Sequence, residues 1–143
     1  TILPNAVFID ARRNALDCCF SAFKQNFARG QTFSYGLERV GHYFKEYRST
    51  MDYWNRVLPD RILEVHYESV VADLEKEVPR LLNHCGVPFE ENCVQFHRTN
   101  RAVRTASAQQ VRQPIYKKGI AHWQNYEEWL TPLKNSIGPL LLD

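Results

Sequence analysis

The sequence predicts an α/β fold that is rich in helix and holds few strands, which we expect to be parallel. Two short segments, 6–10 and 61–67, have strand character, and longer segments with helical spacing separate and follow them. A crossover through helix is typical of parallel strands. The 143 residues are 44% hydrophobic and 24% charged, with no repeat, low-complexity tract or linker. We therefore predict a single domain over residues 1–143.

The first strand and the first helix follow one another closely. "AVFID" (6–10) is a short apolar run and predicts a buried strand that Arg13 ends. "RNALDCCFSAFKQNFARG" (13–30) predicts a helix that ends at Gly30. One apolar face of this helix carries Leu16, Phe20, Phe23 and Phe27. This spacing of three and four residues indicates that the helix packs on a core through that face.

A longer helix and the second strand come next. The segment 33–59 keeps the helical period, with Ser34 as the predicted N-cap and Pro59 just after the end. Its apolar positions are Leu37, Val40, Phe44, Tyr47, Met51, Trp54 and Leu58. "RILEVHY" (61–67) alternates polar and apolar positions and contains β-branched and aromatic residues, so it predicts a strand.

The third helix is predicted over residues 72–88. Asp73 is its expected N-cap, and Gly86 precedes a valine and a proline that favour termination. Pro79 lies inside the segment, so we expect a kink or a late start there. The segment 90–98 predicts a further short helix.

The C-terminal third contains a long loop and a last helix. Residues 99–119 are polar and basic without a steady period, which predicts a loop of functional length. Residues 121–138 predict a helix that is interrupted near Pro132. Three tryptophans lie on predicted helical faces and are expected in the core: Trp54, Trp123 and Trp129.

The overall charge and the cysteine and histidine content exclude several classes of function. A net charge of +2 is too small for a bulk nucleic-acid binder. The four cysteines and five histidines show no metal-ligand spacing, so we expect no metal and free thiols. No membrane span or signal peptide is visible. Because free thiols are typical of a reducing compartment, we expect a cytoplasmic protein with no membrane partner.

A small anion site is predicted where the first strand passes into the first helix. Arg13 opens the helix, and Ser21 follows eight residues later on a neighbouring side. A guanidinium fork, a hydroxyl and the helix N-terminus all favour a phosphate. Asp17 lies between them and is placed to orient Arg13. The alternative is a solvated Arg-Arg pair and a helix serine with no particular role.

The segment "RNALDCCFS" resembles the part of PAPS-dependent sulfotransferases that binds the 3′-phosphate of 3′-phosphoadenosine 5′-phosphosulfate (PAPS). Arg13 and Ser21 match the family's arginine and serine, and Asn14 and Asp17 match residues that usually stand between them. The resemblance implies that Arg13 and Ser21 bind the nucleotide. It also implies PAPS as the sulfuryl donor, with no metal.

The resemblance extends over nearly the whole chain. "ILEVHYESV" is similar to the family's strand and following turn, which makes Tyr67 the residue near the adenine, with Ser69 where an aspartate is commoner. "KKGIAHW" is similar to the Arg-Lys-Gly motif that precedes a tryptophan. Lys117, Lys118 and Gly119 match that motif, with lysine in place of arginine. The surrounding loop is closer to bacterial sulfotransferases of the type often fused to helical repeats.

Other loop residues are weaker candidates for binding the nucleotide. They are Arg104, Thr105, Ser107 and Arg112. Each of them alone is expected to face solvent rather than the anion. A group of such donors is nevertheless what a ligand with several negative charges requires.

Two features of the sulfotransferase pattern have no counterpart in the sequence: the 5′-phosphosulfate loop and the upstream catalytic base. We therefore expect a partial P-loop-NTPase-like sulfotransferase fold that corresponds to the C-terminal half and is inactive alone. Its partner would be a small-molecule or macromolecular sulfate acceptor. An open sheet edge leads us to expect self-association or poor solubility. The alternatives are a non-catalytic nucleotide-binding module and an adaptor whose basic loop meets an acidic protein.

Overall fold

The computed structural model describes residues 5–25, 27, 30–98, 102 and 110–142. The chain forms two compact units. Unit 1 comprises Thr1–Arg12 and Ile62–Lys117, and unit 2 comprises Arg13–Arg61 and Lys118–Asp143. Each unit is therefore built from two stretches of sequence that lie far apart along the chain.

Unit 1 contains a short parallel sheet. Strand β1 spans Phe8–Arg12 and strand β2 spans Ile62–His66. The two strands are hydrogen-bonded in parallel, from Phe8 opposite Ile62 to Arg12 opposite His66. The predicted fold class, helix-rich α/β with a short parallel sheet, is confirmed. Strand β1 starts and ends two residues later than predicted, so that Arg12 and not Arg13 is its last residue.

The buried face of β1 is polar, which corrects the prediction of an apolar buried strand. Phe8 and Ile9 are 46% and 41% exposed, whereas Asp10 and Arg12 are buried. The Arg12 side chain bonds the Asp10 carboxylate at 2.7 Å and the Glu64 carboxylate at 2.7 Å. Because Glu64 lies opposite Asp10 on β2, the two strands share one charged face. Burial of Asp10 and Arg12 is tolerated because their charges pair.

Two helices follow β2 in place of the single predicted one. Helix α3 spans Tyr67–Ala72 and helix α4 spans Leu74–Cys85. They meet at Asp73, whose carboxylate accepts a hydrogen bond from the backbone of Lys76 at 3.0 Å, so the predicted N-cap is confirmed. The predicted stop is also confirmed, because Gly86 ends α4 with a φ of 65°. Within 90–98, the structure has two 3-10 turns, Glu91–Cys93 and Phe96–Arg98.

The described residues of unit 2 form three α-helices. These are α1 (Ala15–Lys24), α2 (Leu37–Val57) and α5 (Thr131–Ile137). The N-cap of α2 is Gly36 rather than Ser34. Ser34 lies instead in a 3-10 turn, where its hydroxyl donates to the carbonyl of Gln31 at 2.8 Å.

The predicted helix 121–138 is two elements. A 3-10 helix spans His122–Trp129, and α5 starts after Leu130. Pro132 lies in the first turn of α5, where proline costs no hydrogen bond, so the interruption comes just before it.

The core of unit 2 lies where α1, α2 and the C-terminal segment meet. Its buried members are Ala15, Leu16, Cys19, Phe20, Val40, Phe44, Leu130, Leu133 and Ile137. Trp123 packs against this core, as predicted. Trp54 and Trp129, by contrast, are 42% and 61% exposed, so the expectation that they are core residues is wrong.

Candidate functional site

Arg13 lies in the short connection before α1 and not at the end of a strand. Asn14 follows it and caps the helix, since its side chain accepts a hydrogen bond from the backbone N–H of Asp17 at 3.2 Å. Arg13 is thus held just ahead of the first helical turn, with its side chain partly buried. This is the place where the sequence predicts an anion-binding arginine.

Asp17 organises a turn that comes more than a hundred residues later in the sequence. Its carboxylate is 2% exposed and accepts hydrogen bonds from the backbone N–H groups of Ala121, at 2.6 Å, and Trp123, at 3.1 Å. Ala121 adopts a left-handed conformation with a φ of 57°. A buried carboxylate with two backbone donors is a strong constraint. Asp17 therefore fixes the conformation of the segment that follows Gly119.

Arg13 reaches the same turn. Its guanidinium donates a hydrogen bond to the carbonyl oxygen of Gly119, and it lies 3.9 Å from the Asp17 carboxylate. The predicted pairing of Arg13 with Asp17 is thus present as a long ion pair. Arg13, Asp17 and Gly119 come together although Gly119 is far from the other two in sequence.

Ser21 and Lys118 are the other predicted site residues in unit 2. The Ser21 side chain is exposed on α1, and its hydroxyl has no protein partner among the described residues. Lys118 is exposed and directly precedes Gly119. Unit 2 therefore presents a guanidinium, a hydroxyl and an ammonium on α1 and the adjoining turn.

The remaining predicted residues belong to unit 1 or fall outside the described residues. Tyr67 and Lys117 belong to unit 1, where Tyr67 is the first residue of α3 and is partly buried and Lys117 is exposed. Their participation in one site with Arg13 stays a prediction. Arg112 is exposed. Arg104, Thr105 and Ser107 lie outside the described residues.

A charged cluster in unit 1 was missed by sequence reasoning. Arg12 bridges the carboxylates of Asp10 and Glu64, and Glu64 also bonds the His66 ring at 2.6 Å. The four residues occupy alternate positions at the carboxyl ends of β1 and β2. The signal was available, because residues two apart on a strand share one face.

Two further kinds of feature bear on the part of the chain that the structure describes. No group of three or more His, Cys, Asp or Glu side chains there is arranged to hold a metal ion. No described helix is both long enough and apolar enough to cross a membrane.

Comparison with known proteins decides the family. The profile described as "Sulfotransferase family" matches residues 1–91. The chain belongs to the sulfotransferase family. The matched region of the sulfotransferase profile includes Arg13, Ser21 and Tyr67 but ends before Lys117, Lys118 and Gly119.

A relative extends the similarity to most of the sequence. An uncharacterized protein of Aquifex aeolicus (strain VF5) is 35% identical over 135 residues. The similarity covers 92% of this sulfotransferase-family chain but only 18% of the relative. The chain thus spans less than a fifth of the length of the curated relative that it matches.

Proposed function

We propose that this sulfotransferase-family domain binds the 3′-phosphate and adenosine part of PAPS for sulfuryl transfer to an alcohol, phenol or amine acceptor. The observation that carries the proposal is the hydrogen bond from Arg13 to the Gly119 carbonyl. Arg13 lies just before α1, the helix that also presents Ser21. Arg13 and Ser21 of the first motif therefore belong to the same unit as Lys118 and Gly119 of the second.

The donors of unit 2 suit a phosphate. A guanidinium binds two oxygens of a phosphate at once, and a hydroxyl and an ammonium supply further donors. Ser21 lies six residues beyond Ala15, the first residue of α1, which is a rise of about 9 Å along the helix. Arg13 and Lys118 have long side chains, so an anion beside the first turns of α1 is within reach of both.

The first turn of α1 already contains an anion, the buried carboxylate of Asp17. The side chains of Arg13, Ser21 and Lys118 are therefore the main donors for the phosphate, rather than the backbone N–H groups of the helix N-terminus. Gly119 has no side chain to obstruct a ligand next to the backbone. Tyr67 and Lys117 belong to unit 1, and their contacts with the nucleotide stay a prediction from the sequence resemblance.

These residues hold the nucleotide and do not carry out the transfer step. In that step, the bond between sulfur and the phosphate oxygen of the donor breaks as a bond from sulfur to the acceptor forms. The acceptor's proton passes to a general base. Arg13, Ser21 and Lys118 are hydrogen-bond donors that neutralise charge and position the donor. The base is assigned to none of them.

Calorimetry with 3′,5′-adenosine bisphosphate tests the proposal. We expect the 143-residue chain to bind this nucleotide better than adenosine 5′-monophosphate, which lacks the 3′-phosphate. Arg13→Ala should weaken binding about 30-fold, as expected for loss of a hydrogen bond between charged groups. Arg39→Ala, an exposed arginine of α2, is the matched control and should leave affinity unchanged. Undetectable binding at millimolar nucleotide, or equal binding of both nucleotides, would contradict the proposal.

Binding without transfer is a separate outcome. Incubation of the chain with radiolabelled PAPS and a mixture of phenol and alcohol acceptors measures transfer directly. We expect none from these 143 residues alone, because the proposed donor set includes no base. A labelled acceptor that appears at a rate above the protein-free blank would overturn this expectation and leave the binding proposal intact.

A further inference from the structure

The other end of α1 carries a pocket that the nucleotide proposal does not use. The pocket has a volume of about 370 Å³ and lies entirely within unit 2. Its walls are four aromatic side chains, two leucines and one lysine. The lining includes Phe20, Phe23, Lys24, Tyr126 and Trp129. Its volume lies within the range of small-molecule sites, although the pocket is partly open to solvent.

Two aromatic walls of the pocket, Tyr126 and Trp129, continue a row of rings that begins at His122 and stays open at the Trp129 end. The rings of His122 and Tyr126 have centroids 5.5 Å apart, and those of Tyr126 and Trp129 are 6.3 Å apart. Phe20 packs against Tyr126 at 4.7 Å. Trp129 ends the row and is 61% exposed. A large aromatic surface of this kind favours a further ring stacked on it.

Lys24 gives the pocket a positive charge. Its ammonium lies 5.2 Å from the centroid of the Phe20 ring and 5.5 Å from that of Tyr126. Lys24 forms no ion pair with a carboxylate of the described residues, and it is the single charged residue that lines the pocket. The charge is therefore open to a ligand's anionic group, while the rings hold the ammonium in place.

We propose that this pocket binds an aromatic molecule that carries one anionic group. The ring would stack on Trp129 and Tyr126, and the anion would face the Lys24 ammonium. A cationic ligand would meet Lys24 as a like charge, and a neutral one would leave the lysine without a partner. None of the proposed nucleotide donors Arg13, Ser21 and Lys118 lines this pocket, so the inference does not rest on the proposed function.

A matched pair of ligands tests both parts of the proposal. The probe is 2-naphthoate, and its uncharged analogue 2-naphthamide is the control for stacking alone. Titration is followed by ¹H–¹⁵N spectra, where the indole N–H signal of Trp129 should shift. We expect naphthoate to bind about threefold more tightly than naphthamide, the gain of one exposed charge interaction. Equal affinities, or no shift of the Trp129 signal at millimolar naphthoate, would overturn the proposal.

Variants locate the site. Lys24→Met should abolish the preference for naphthoate, whereas Lys45→Met, an exposed lysine of α2, should preserve it. Trp129→Ala should weaken both ligands about tenfold through loss of stacking. Because Trp129 is largely exposed, we expect the variant to fold, which thermal unfolding by circular dichroism checks. Unchanged binding by either pocket variant, or displacement of naphthoate by adenosine bisphosphate, would contradict a separate aromatic-anion site.

Discussion

The Asp17 carboxylate accepts the backbone N–H of Ala121 at 2.6 Å, across 104 residues of sequence. It also accepts the N–H of Trp123, so a single buried side chain holds both the first turn of α1 and the turn after Gly119. Arg13 adds a bond to the Gly119 carbonyl from the same helix end. The turn that bears Lys118 is therefore positioned by α1, and changes in Asp17 should alter a distant part of the chain.

Asp17→Asn should destabilise this turn. An amide has one acceptor oxygen, so its NH₂ group would face one of the two backbone N–H groups. We expect a loss of about 1–3 kcal/mol in the free energy of unfolding. Hydrogen exchange at Ala121 and Trp123 should also become faster. Asp52→Asn, an exposed aspartate of α2, is the control. Equal protection of both amides in Asp17→Asn and in the unmutated chain would contradict the role given to Asp17.

Ser21→Ala is the sharpest test of the nucleotide site. The Ser21 hydroxyl is exposed and bonds no described protein group, so its removal should leave the unfolding midpoint unchanged. Affinity for adenosine bisphosphate should fall about tenfold, as expected for a hydrogen bond to a charged group. Ser49→Ala on the exposed side of α2 is the matched control. A Ser21→Ala protein that binds as well as the unmutated one would remove Ser21 from the site.

Arg12→Met should strongly destabilise unit 1. Arg12 is 9% exposed, and its guanidinium bonds both Asp10 and Glu64. Removing one partner of a buried ion pair costs about 3–5 kcal/mol, because the Asp10 carboxylate stays buried after the loss of the guanidinium. The double variant Asp10→Asn, Arg12→Met should recover part of the loss in urea unfolding. If Arg12→Met alone unfolds at the same urea concentration as the unmutated protein, the cluster contributes nothing to stability.

Gly41→Ala reverses the usual effect of alanine in a helix. A Cβ at Gly41 would clash with Ser136 Oγ and lie 2.9 Å from Ser136 Cβ, where α2 crosses α5. We expect a loss of about 1–3 kcal/mol from overpacking, which outweighs the gain of about 1 kcal/mol in helix propensity. In thermal unfolding, the double variant Gly41→Ala, Ser136→Gly should lose less stability than the two single variants lose in sum. Simple additivity would show that the two positions do not touch.

The two neighbouring cysteines should differ in reactivity. Cys18 is exposed, whereas Cys19 is buried in the core, with its Sγ 3.9 Å from the Val40 carbonyl oxygen. Burial raises the pKa of the Cys19 thiol, and the adjacent Cys18 raises it further. We expect rapid iodoacetamide labelling of Cys18 and labelling of Cys19 only on unfolding. Peptide mass spectrometry separates the two sites, and equal labelling rates in the native state would contradict the buried placement.

The raised pKa of Cys19 also gives the stability a pH dependence. The folded state favours the neutral thiol, so this contribution is complete below the pKa of the unfolded thiol, about 8.5. It should decrease as the pH rises above that value, because the unfolded chain then releases a proton that the folded chain keeps. Cys19→Ala should show a smaller loss of stability between neutral and alkaline pH than the unmutated protein. The comparison uses urea unfolding at both values.

Features with a local cause were predictable from the sequence. Strand β2 was placed within one residue at each end, and Asp73 and Gly86 were identified as cap and stop. A cap acts on a backbone group three residues away, so neighbouring residues are sufficient to reveal it. Parallel pairing followed from the long helical crossover between the strands.

Features with a distant cause were not predictable. Nothing near Asp17 reveals that its partners are Ala121 and Trp123, and sequence spacing suggested Arg13 instead. The exposed position of Trp129 was missed because residues 122–129 form a 3-10 helix with three residues per turn, so the α-helical spacing assigned the wrong face. The polar burial in β1 depends on Glu64, which lies on the other strand.

The alternation of the two units along the chain has a consequence for biosynthesis. Helices α1 and α2 leave the ribosome before Leu130, Leu133 and Ile137, which fill the centre of their core and emerge about a hundred residues after α1. Until then, the apolar side chains of both helices have no complete set of partners. The core of unit 2 is therefore complete only after Ile137 has been synthesised. During that interval we expect the nascent chain to depend on chaperones that shield apolar helices.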